Sequence, residues 1–493
     1  MEGVFYDATS YNQPMNSWST SNVTTMQNMF LGASNFNQDL SDWNTSKVLN
    51  MSGMFGGTDF TNPINDWDVS KVTNMRGMFG YTPFNQPLNN WDTSKVLDMD
   101  YMFQNSSFSQ DISMWCVTLI DEAPVDFGNT NGSLPIWGQC GEIELAANGV
   151  TIVANDNAVI GESYKLTNDG DSYKVVDEAM LREMVANDED VTKVVTTRVT
   201  SLDELFSGKT SFNQDIGSWD TSNVESMTKL FAGSDIGLNL GARNGDPSLF
   251  NQDISAWDLS KTTNTTLMFY HSKFNQDIGN WDVSNVKNMY GMFYYNDVFN
   301  QDIGKWNIQN VQSLERMFTR AEAFDQDISA WNTSKVQEMG WMFLGAKEFN
   351  QNIGNWDVSK VRWFTGMFYG AEKFNKNITQ WNMSSATNLN FMFREALEFN
   401  QDISGWDVSN VTVMGNMFHA SVFNQPIGNW DVSNVVDMSK MFWAANAFNQ
   451  DISNWDVSNV TSMNGMFDKA RSFDQNLNNW DVSNVVDMSA MFA

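Results

Sequence analysis

Hydrophobic residues recur along this chain with a period of 24 or 25 residues, and a tryptophan opens almost every copy of the pattern. In the copy that begins at Trp455, which we number as copy position 1, apolar residues occupy copy positions 1, 3, 6, 9, 12, 13, 19 and 23. A period of this length is typical of proteins built from stacked repeats. The sixteen tryptophans that follow the period are Trp18, Trp43, Trp67, Trp91, Trp115, Trp219, Trp257, Trp281, Trp306, Trp331, Trp356, Trp381, Trp406, Trp430, Trp455 and Trp480.

The spacing of the apolar residues within a copy predicts two kinds of secondary structure. Trp455 and Val457 alternate with Asp456, which indicates a short strand whose apolar side chains point inward. Further along, the apolar residues Met463, Met466, Phe467 and Ala470 follow the i, i+3, i+4, i+7 spacing of one helix face. We therefore predict that each copy consists of a strand, a turn, a short helix and a return segment.

One copy is too small to bury its own apolar side chains, so we expect successive copies to stack and cover each other. The expected fold class is an α/β solenoid in which the strands of consecutive copies form a parallel sheet on one face. Variation in length falls between the helix and the return segment, and an insertion over 236–249 falls at the same place in its copy. The register of the core therefore survives these changes.

Interruptions of the period divide the chain into two arrays, the first with five tryptophan-marked copies and the second with eleven. A segment with a different pattern separates them. The predicted boundaries are 1–115 for the first array, 116–140 for its C-terminal cap, 141–169 for a linker, 170–205 for the N-terminal cap of the second array, and 206–493 for the second array.

The segment between the arrays contains its own predicted elements. A strand is expected over 150–153 in the linker, and another over 173–176 in the second cap. A helix is expected over 177–185, with Asp177 as its N-cap. Because both chain ends fall inside a copy and show no polar cap, we expect either a piece of a longer protein or ends that stack on another molecule.

Composition narrows the choice of partners. The chain has 493 residues and a formal net charge of −31, which disfavours nucleic acid and anionic lipid because their phosphates would be repelled. The sequence shows no apolar run long enough to span a membrane and no leader peptide. Cys116 and Cys140 are the two cysteines. Their place at the end of an array favours a structural disulfide, with two buried thiols as the alternative.

The candidate metal site is the row of side chains that stacking would form from copy position 2 of successive copies, which we call the acidic file. Copy position 2 is Asp in most copies and Asn in others, and stacked carboxylates about 5 Å apart would repel each other unless a cation such as Ca²⁺ intervened. The alternative is that these side chains cap the turn that follows. The candidate Ca²⁺ ligands are Asp407, Asp431, Asp456 and Asp481.

Aromatic residues that break the repeat are the candidate partner-binding residues. They occupy positions that are small or polar in other copies, so an exposed cluster would suit a protein or glycan partner. Packing between neighbouring helices is the alternative. The candidates are Tyr294, Tyr295, Trp341, Trp363 and Trp443.

The order of residues in a copy, Trp-Asp-Val-Ser-Asn-Val-Thr followed by Met-Phe and Phe-Asn-Gln-Asp-Ile, resembles a bacterial surface-protein repeat of about 25 residues found in mycoplasma-type lipoproteins. It is also similar to the BspA-like, or Treponema-type, leucine-rich repeat. The resemblance covers both arrays and implies a leucine-rich-repeat-like solenoid, a cell-surface or extracellular location, and no catalytic residues.

These observations predict a non-enzymatic extracellular repeat protein that presents an extended surface for adhesion or for recognition of a protein or glycan. The alternative is a structural subunit of an extracellular filament or sheath that assembles head to tail through its open ends. A hydrolase is disfavoured because no acid pair stands out from the repeated Asp background. Apart from Ca²⁺, no cofactor is expected.

Overall fold

The chain forms two compact units in the computed structural model. The first comprises Met1–Ala146 with Ile152–Val175, and the second comprises Ala147–Thr151 with Val176–Ala493. The predicted insertion lies mostly outside the described residues, and so does part of the predicted cap over 116–140. The structure describes residues 1–113, 115–128, 131–135, 137–138, 143–155, 158–166, 171–234 and 245–493.

Regular secondary structure in the described residues is confined to the segment between the two arrays. β1 pairs antiparallel with β2, and β3 pairs antiparallel with β4. The segment interpreted as a linker thus contains three strands, where the sequence pattern predicted one. The elements are β1 (Ile143–Leu145), β2 (Ile152–Ala154), β3 (Ser163–Lys165), β4 (Ser172–Val175), α1 (Glu178–Ala186) and β5 (Val194–Val195).

Helix α1 matches the helix predicted from the sequence. The side chain of Asp177 accepts a hydrogen bond from the Met180 amide at 2.8 Å, which satisfies one of the free N–H groups of the first turn. The apolar face of α1 buries Leu181, Met184 and Val185, and these side chains belong to the hydrophobic core that continues through the second unit. The helix therefore packs against the core that the repeats build.

Successive copies contact each other through single parallel β-bridges at copy position 8. Ser462, for example, bridges Asp437 of the preceding copy and Asp487 of the following one. The predicted strand over 455–457 is wrong, because these residues form no β-ladder. Turns begin within a few residues on either side and prevent a bridge from growing into a strand. The predicted alternation of burial holds, with Trp455 and Val457 buried and Asp456 exposed.

The repeated tryptophan binds two copies together. The ring of Trp455 lies 6.3 Å from that of Trp480, with an angle of 5° between their planes. The indole N–H of Trp455 donates to the carbonyl of Ile427, near the end of the copy that begins at Trp406, at 3.0 Å. A buried indole needs such an acceptor. The same bond recurs in the other copies from Trp43 onward, for example from Trp281 to Ile254.

The predicted helix over 463–470 is also wrong, because the backbone there forms consecutive turns. The Met466 amide donates to the carbonyl of Met463, three residues earlier, whereas the Phe467 amide donates to Met491 of the next copy. This alternation requires positive φ at copy positions 11 and 15, which Gly465 (+60°) and Lys469 (+60°) adopt. Turns that recur every four residues bury the same side chains that a helix face would, so apolar spacing alone misidentified them.

Asp and Asn side chains hold the corners of each copy. The Oδ1 of Asp402, at copy position 22, accepts from the Ser404 amide at 2.9 Å. Asp407, at copy position 2, makes the same contact with Ser409. Between copies, the Oδ1 of Asn375 accepts from the Asn400 amide, so polar side chains also connect successive copies.

Candidate functional site

Trp363 occupies copy position 8 of the copy that begins at Trp356, and it is the central residue of the candidate site. Val361 and Phe364 are fully buried, whereas Arg362 and Trp363 between them are exposed, so the backbone turns a corner here. The indole is 56% exposed. Among the described residues, no other aromatic ring packs against it. We call Lys335, Lys360, Arg362 and Trp363 the Trp363 corner.

The backbone under the indole is held from both sides. Trp363 bridges Glu338 of the preceding copy and Asn388 of the following one. The carbonyl of Arg362 accepts from the Thr387 amide at 2.9 Å. Because stacked copies are about 4.8 Å apart, the side chains of adjacent copies are close neighbours on this surface. The corner therefore presents its side chains from a fixed backbone.

The basic side chains of the Trp363 corner are exposed. Lys335 Nζ donates to Asn310 Oδ1 at 2.6 Å, and Lys360 Nζ donates to the Ser334 carbonyl at 2.8 Å. Both acceptors are uncharged, so neither bond neutralises the ammonium group. Within the part of the chain that the structure describes, Arg362 forms no ion pair. The corner therefore carries three basic groups, and the exposed Glu338 of the preceding copy is an acidic residue beside them.

Trp363 replaces a residue type that has a structural task in most other copies. At copy position 8, Asn388 and Asp437 accept a hydrogen bond from the amide two residues later, at 2.9 and 2.8 Å. A tryptophan cannot form this turn. The other bridging residues at this position are Asn, Asp, Ser or Thr except for Glu338 and Val413. Trp363 gives up the turn hydrogen bond of copy position 8 and gains no internal contact with another aromatic ring, and a residue of this kind indicates a functional position.

The copies around this corner also carry less negative charge than the rest of the chain. Between residues 306 and 405, Lys and Arg number nine and Asp and Glu number eleven, which leaves −2, against −31 for the whole chain. Asn332 and Asn382 stand where most copies have Asp at copy position 2. Their Oδ1 atoms accept from Ser334 and Ser384, so the turn is kept while the charge is lost.

Trp341 is half-buried and packs within its own face of the array. Its φ is +60°, a conformation that is unusual for a bulky residue. The ring lies over Gly366 of the next copy, where an added Cβ would come within 2.1 Å of it. The rings of Trp341 and Phe391 are 5.9 Å apart, and the Arg316 guanidinium lies 5.8 Å from the indole. Trp341 therefore has internal partners that Trp363 lacks.

Trp443 is also half-buried and has internal partners. Its indole N–H donates to Asp468 Oδ2 at 2.8 Å, and its ring stacks on His419 with 4.3 Å between centroids. Lys469 Nζ lies 4.6 Å above the ring. Burial, together with the positive charges of Arg394 and Lys440, lowers the pKa of His419 to about 4.

Tyr294 and Tyr295 cannot belong to an exposed patch because both are buried, at 0% and 8% exposure. They form a small cluster with Leu267 and Tyr270, and the two tyrosine rings stack 4.7 Å apart. Burial also raises the pKa of Tyr294. The prediction of a partner-binding role is wrong for this pair, since the core takes up both side chains.

The candidate Ca²⁺ ligands are exposed and take part in turns. The Oδ1 of Asp407 accepts from both the hydroxyl and the amide of Ser409, at 2.6 and 3.1 Å. These bonds lower the pKa of Asp407. The amides of Ser433, Ser458 and Ser483 donate to Asp431, Asp456 and Asp481 in the same way. Each carboxylate therefore serves the turn that was the alternative to metal binding.

No group of three or more His, Cys, Asp and Glu residues is placed to hold a metal ion in the described part of the chain. Ca²⁺ binding by the acidic file stays a prediction. Cys116 is disulfide-bonded. Cys140 lies outside the described residues, so the predicted pairing stays a prediction as well. Within the same limits, no helix has the length and apolar character to cross a membrane.

The sequence pattern identified Trp363 but missed the basic residues beside it. Lys335, Lys360 and Arg362 fall at surface positions of the repeat, where a charge is unremarkable in a single copy. The available signal was the balance of charges over neighbouring copies, together with Asn in place of Asp at copy position 2. Read along the chain, this signal singles out the copies on either side of Trp363.

Comparison with known protein families agrees with the repeat pattern. The family model described as "Mycoplasma protein of unknown function, DUF285" matches six stretches, residues 1–81, 48–132, 176–272, 238–353, 323–427 and 387–493. Proteins with these repeats are usually surface-exposed. No curated protein matches the sequence. Because the matches cover most of both arrays, the chain belongs to the DUF285 family of mycoplasma-type repeat proteins, whose function is unknown.

Proposed function

We propose that this protein is a non-enzymatic repeat protein of the cell surface or extracellular space, and that it presents an extended surface for adhesion or for recognition of a protein or glycan. The observation that carries the proposal is the exposed indole of Trp363, held on a fixed backbone where other copies use a turn-forming side chain. Exposed aromatic residues on rigid elements are common at binding surfaces.

An extended surface follows if the copies stack into a solenoid, which is part of the proposal. The bridges at copy position 8 and the parallel rings of Trp455 and Trp480 support stacking in register. We propose that the arrangement resembles the leucine-rich repeat in outline, with turns in place of the helix. Membership in a family of usually surface-exposed proteins supports the proposed location.

The chemistry of the acidic file favours recognition over hydrolysis. Hydrolysis of a glycosidic bond uses two carboxyl groups with different environments, one of them with a raised pKa. The carboxylates of Asp407, Asp456 and Asp481 instead share one environment, and hydrogen bonds from the following serines lower the pKa of each. These residues are suited to holding turns.

A pair of matched variants tests the proposed function. Trp363→Asn removes the indole and restores the residue type of most other copies, whereas Val413→Asn makes the same restoration two copies later and keeps the indole. We expect binding to cells or to immobilised surface material to be lost with Trp363→Asn and kept with Val413→Asn. Equal binding by both variants and the wild-type protein would refute the proposal.

The alternative prediction, a filament or sheath subunit, concerns contacts between copies of the chain. It requires particles whose length grows with protein concentration. Sedimentation or electron microscopy across a range of concentrations distinguishes the two functions. Particles of constant size would leave recognition as the remaining proposal.

A further inference from the structure

We propose that the Trp363 corner binds an acidic polysaccharide, that is, a glycan that carries carboxylate or sulfate groups. The inference rests on the proposed recognition function and names the ligand class. It combines three observations: an exposed ring without an internal partner, three basic side chains that form no ion pair within the described residues, and Asn in place of Asp at several positions of the neighbouring copies.

The indole supplies a stacking platform. A sugar ring has an apolar face of C–H groups, and aromatic side chains that are apolar in body and polar at the edge suit such a face. Trp363 is 56% exposed, whereas Trp341 and Trp443 are half-buried against neighbours in adjacent copies. Trp363 can therefore take an external ring without first losing an internal contact.

The basic groups supply attraction for an anionic ligand. Arg362 follows the buried Val361 and lies next to the indole in sequence, and its guanidinium is free of ion pairs within the described residues. Lys335 and Lys360 hold the same copy position in successive copies, so their stems emerge about 4.8 Å apart. A guanidinium binds carboxylate and sulfate oxygens through two parallel hydrogen bonds. The spacing allows several charges of one polymer chain to be bound together.

The surrounding copies remove charges that would repel the ligand. Asn332 and Asn382 replace Asp at copy position 2, and Asn352 and Asn377 replace it at copy position 22. All four keep the hydrogen bond to the amide two residues later. The replacements therefore keep the turns and reduce the negative charge of these copies, in which Glu338 remains as an exposed acidic residue next to Trp363.

A glycan fits these observations better than a lipid surface. Stable attachment to a bilayer takes a broad apolar face or two separate anchors, and the corner offers one indole. The whole chain carries −31, so a large anionic surface would be repelled by the copies beyond the neutral stretch. A polysaccharide chain is narrow enough to contact only the copies between residues 306 and 405, which carry little net charge.

The repeat itself supplies neutral replacements for each basic residue. Asn occupies the copy position of Lys360 in the next-but-one copy, where Asn410 Nδ2 donates to the Ser384 carbonyl as Lys360 Nζ does to Ser334. Gln337 is the residue in the preceding copy that corresponds to Arg362. The double variant Lys360→Asn/Arg362→Gln therefore keeps the fold and removes two charges.

The matched control is Lys71→Asn in the first array. Lys71 Nζ donates to the Ser46 carbonyl, the equivalent bond in another copy. The probes are heparin as a sulfated polysaccharide, hyaluronan as a carboxylated one, dextran as a neutral one, and vesicles of phosphatidylglycerol. Binding of the full chain to each probe is measured by calorimetry at two salt concentrations.

We expect heparin or hyaluronan to bind and dextran and vesicles not to bind, with an affinity that falls on the order of tenfold between 50 and 200 mM salt. The double variant should weaken binding by about tenfold or more. Trp363→Asn should abolish it, and Lys71→Asn should leave it unchanged. Circular dichroism and the melting temperature confirm that each variant is folded.

Each other outcome overturns the inference in a distinguishable way. Binding of heparin that survives Trp363→Asn and the double variant would place the site elsewhere. Binding of vesicles in preference to both acidic polysaccharides would make the corner a membrane contact. Binding of dextran or of cells that depends on Trp363 but not on the basic residues would leave the proposed function standing and reject the acidic ligand. Failure of every probe, together with unchanged cell binding by Trp363→Asn, would reject both.

Discussion

Replacing Ala444 with glycine should stabilise the protein, although glycine normally weakens a folded segment. Ala444 occupies copy position 15 with φ of +53°. A left-handed backbone costs an L-residue about 1–2 kcal/mol, and glycine avoids that cost. Against this gain, glycine loses about 0.5–1 kcal/mol more conformational entropy on folding than alanine. The net expected change is an increase of about 0.5–1 kcal/mol in the free energy of unfolding.

Ala323→Gly is the matched control, because Ala323 is also half-buried and lies outside the positive-φ residues. At Ala323 glycine increases the conformational entropy lost on folding but relieves no left-handed backbone, so we expect the free energy of unfolding to fall by about 0.5–1 kcal/mol. Guanidinium titration followed by tryptophan fluorescence measures both variants. Because the chain has two compact units, the transition of the second unit must be fitted by itself.

The comparison separates the observed turns from the helix that the apolar spacing predicts. In the interior of the predicted helix, Ala444→Gly would instead cost about 1 kcal/mol. If Ala444→Gly destabilises the protein as much as Ala323→Gly does, the backbone at copy position 15 is not left-handed, and the description of consecutive turns is incorrect.

Three further perturbations probe the core, the turns and a buried histidine. Phe368→Ala should lower the free energy of unfolding by about 3–5 kcal/mol in a denaturant titration, because the Phe368 ring stacks between those of Phe343 and Phe393, with centroid distances of 5.7 and 5.6 Å. The control is Leu397→Ala, at a side chain that is 49% exposed, which should cost less than about 1 kcal/mol in the same titration. Asp407→Ala should cost about 1 kcal/mol or less at pH 7, whereas Asp407→Asn should be nearly neutral. Because folding lowers the pKa of Asp407, the charge-dependent part of this cost is complete above the unfolded pKa of about 3.9 and decreases as the pH falls through the folded pKa, so a cost of Asp407→Ala that does not change in acid contradicts the turn assignment. His419 has a folded pKa of about 4, below its unfolded value of about 6.5, so the unfolded chain binds the proton first. The free energy of unfolding should therefore fall by about 3 kcal/mol at most as the pH drops from 7 to 4. His419→Leu should remove that part of the pH dependence in thermal melts, and a variant with an unchanged pH dependence would show that the imidazole is not buried in its neutral form.

The period of the tryptophans was sufficient to predict the number of copies, which residues face the core, and that each copy must contact its neighbours. Trp455, Val457, Met463, Met466 and Phe467 are all buried, as their spacing indicates. The physical reason is that burial depends on which side of the backbone a residue faces, and a strict repeat records that side directly. Helix α1 was predictable for a related reason, because an N-cap and an apolar face are both local features.

The path of the backbone between these residues was not predicted correctly. The apolar spacing of 463–470 fits both a helix face and a series of turns, and the decision depends on whether an amide finds its acceptor four residues back or in the next copy. The glycines at copy positions 11 and 15, such as Gly53, Gly57, Gly366 and Gly370, carried the missing information, since glycine tolerates positive φ.

For the candidate site, too, the sequence predicted some features and only the structure revealed the others. The sequence by itself determined that Trp363, Trp341, Trp443 and the two tyrosines depart from the repeat, and that the surrounding copies carry little net charge. Only the tertiary structure decided which departures are filled by the core and which face outward, because Tyr294 and Trp363 are equally unusual in sequence yet differ in exposure by more than half of the side chain. Exposure depends on what the next copy places beside a residue, and that is a property of stacked neighbours and not of the residue itself.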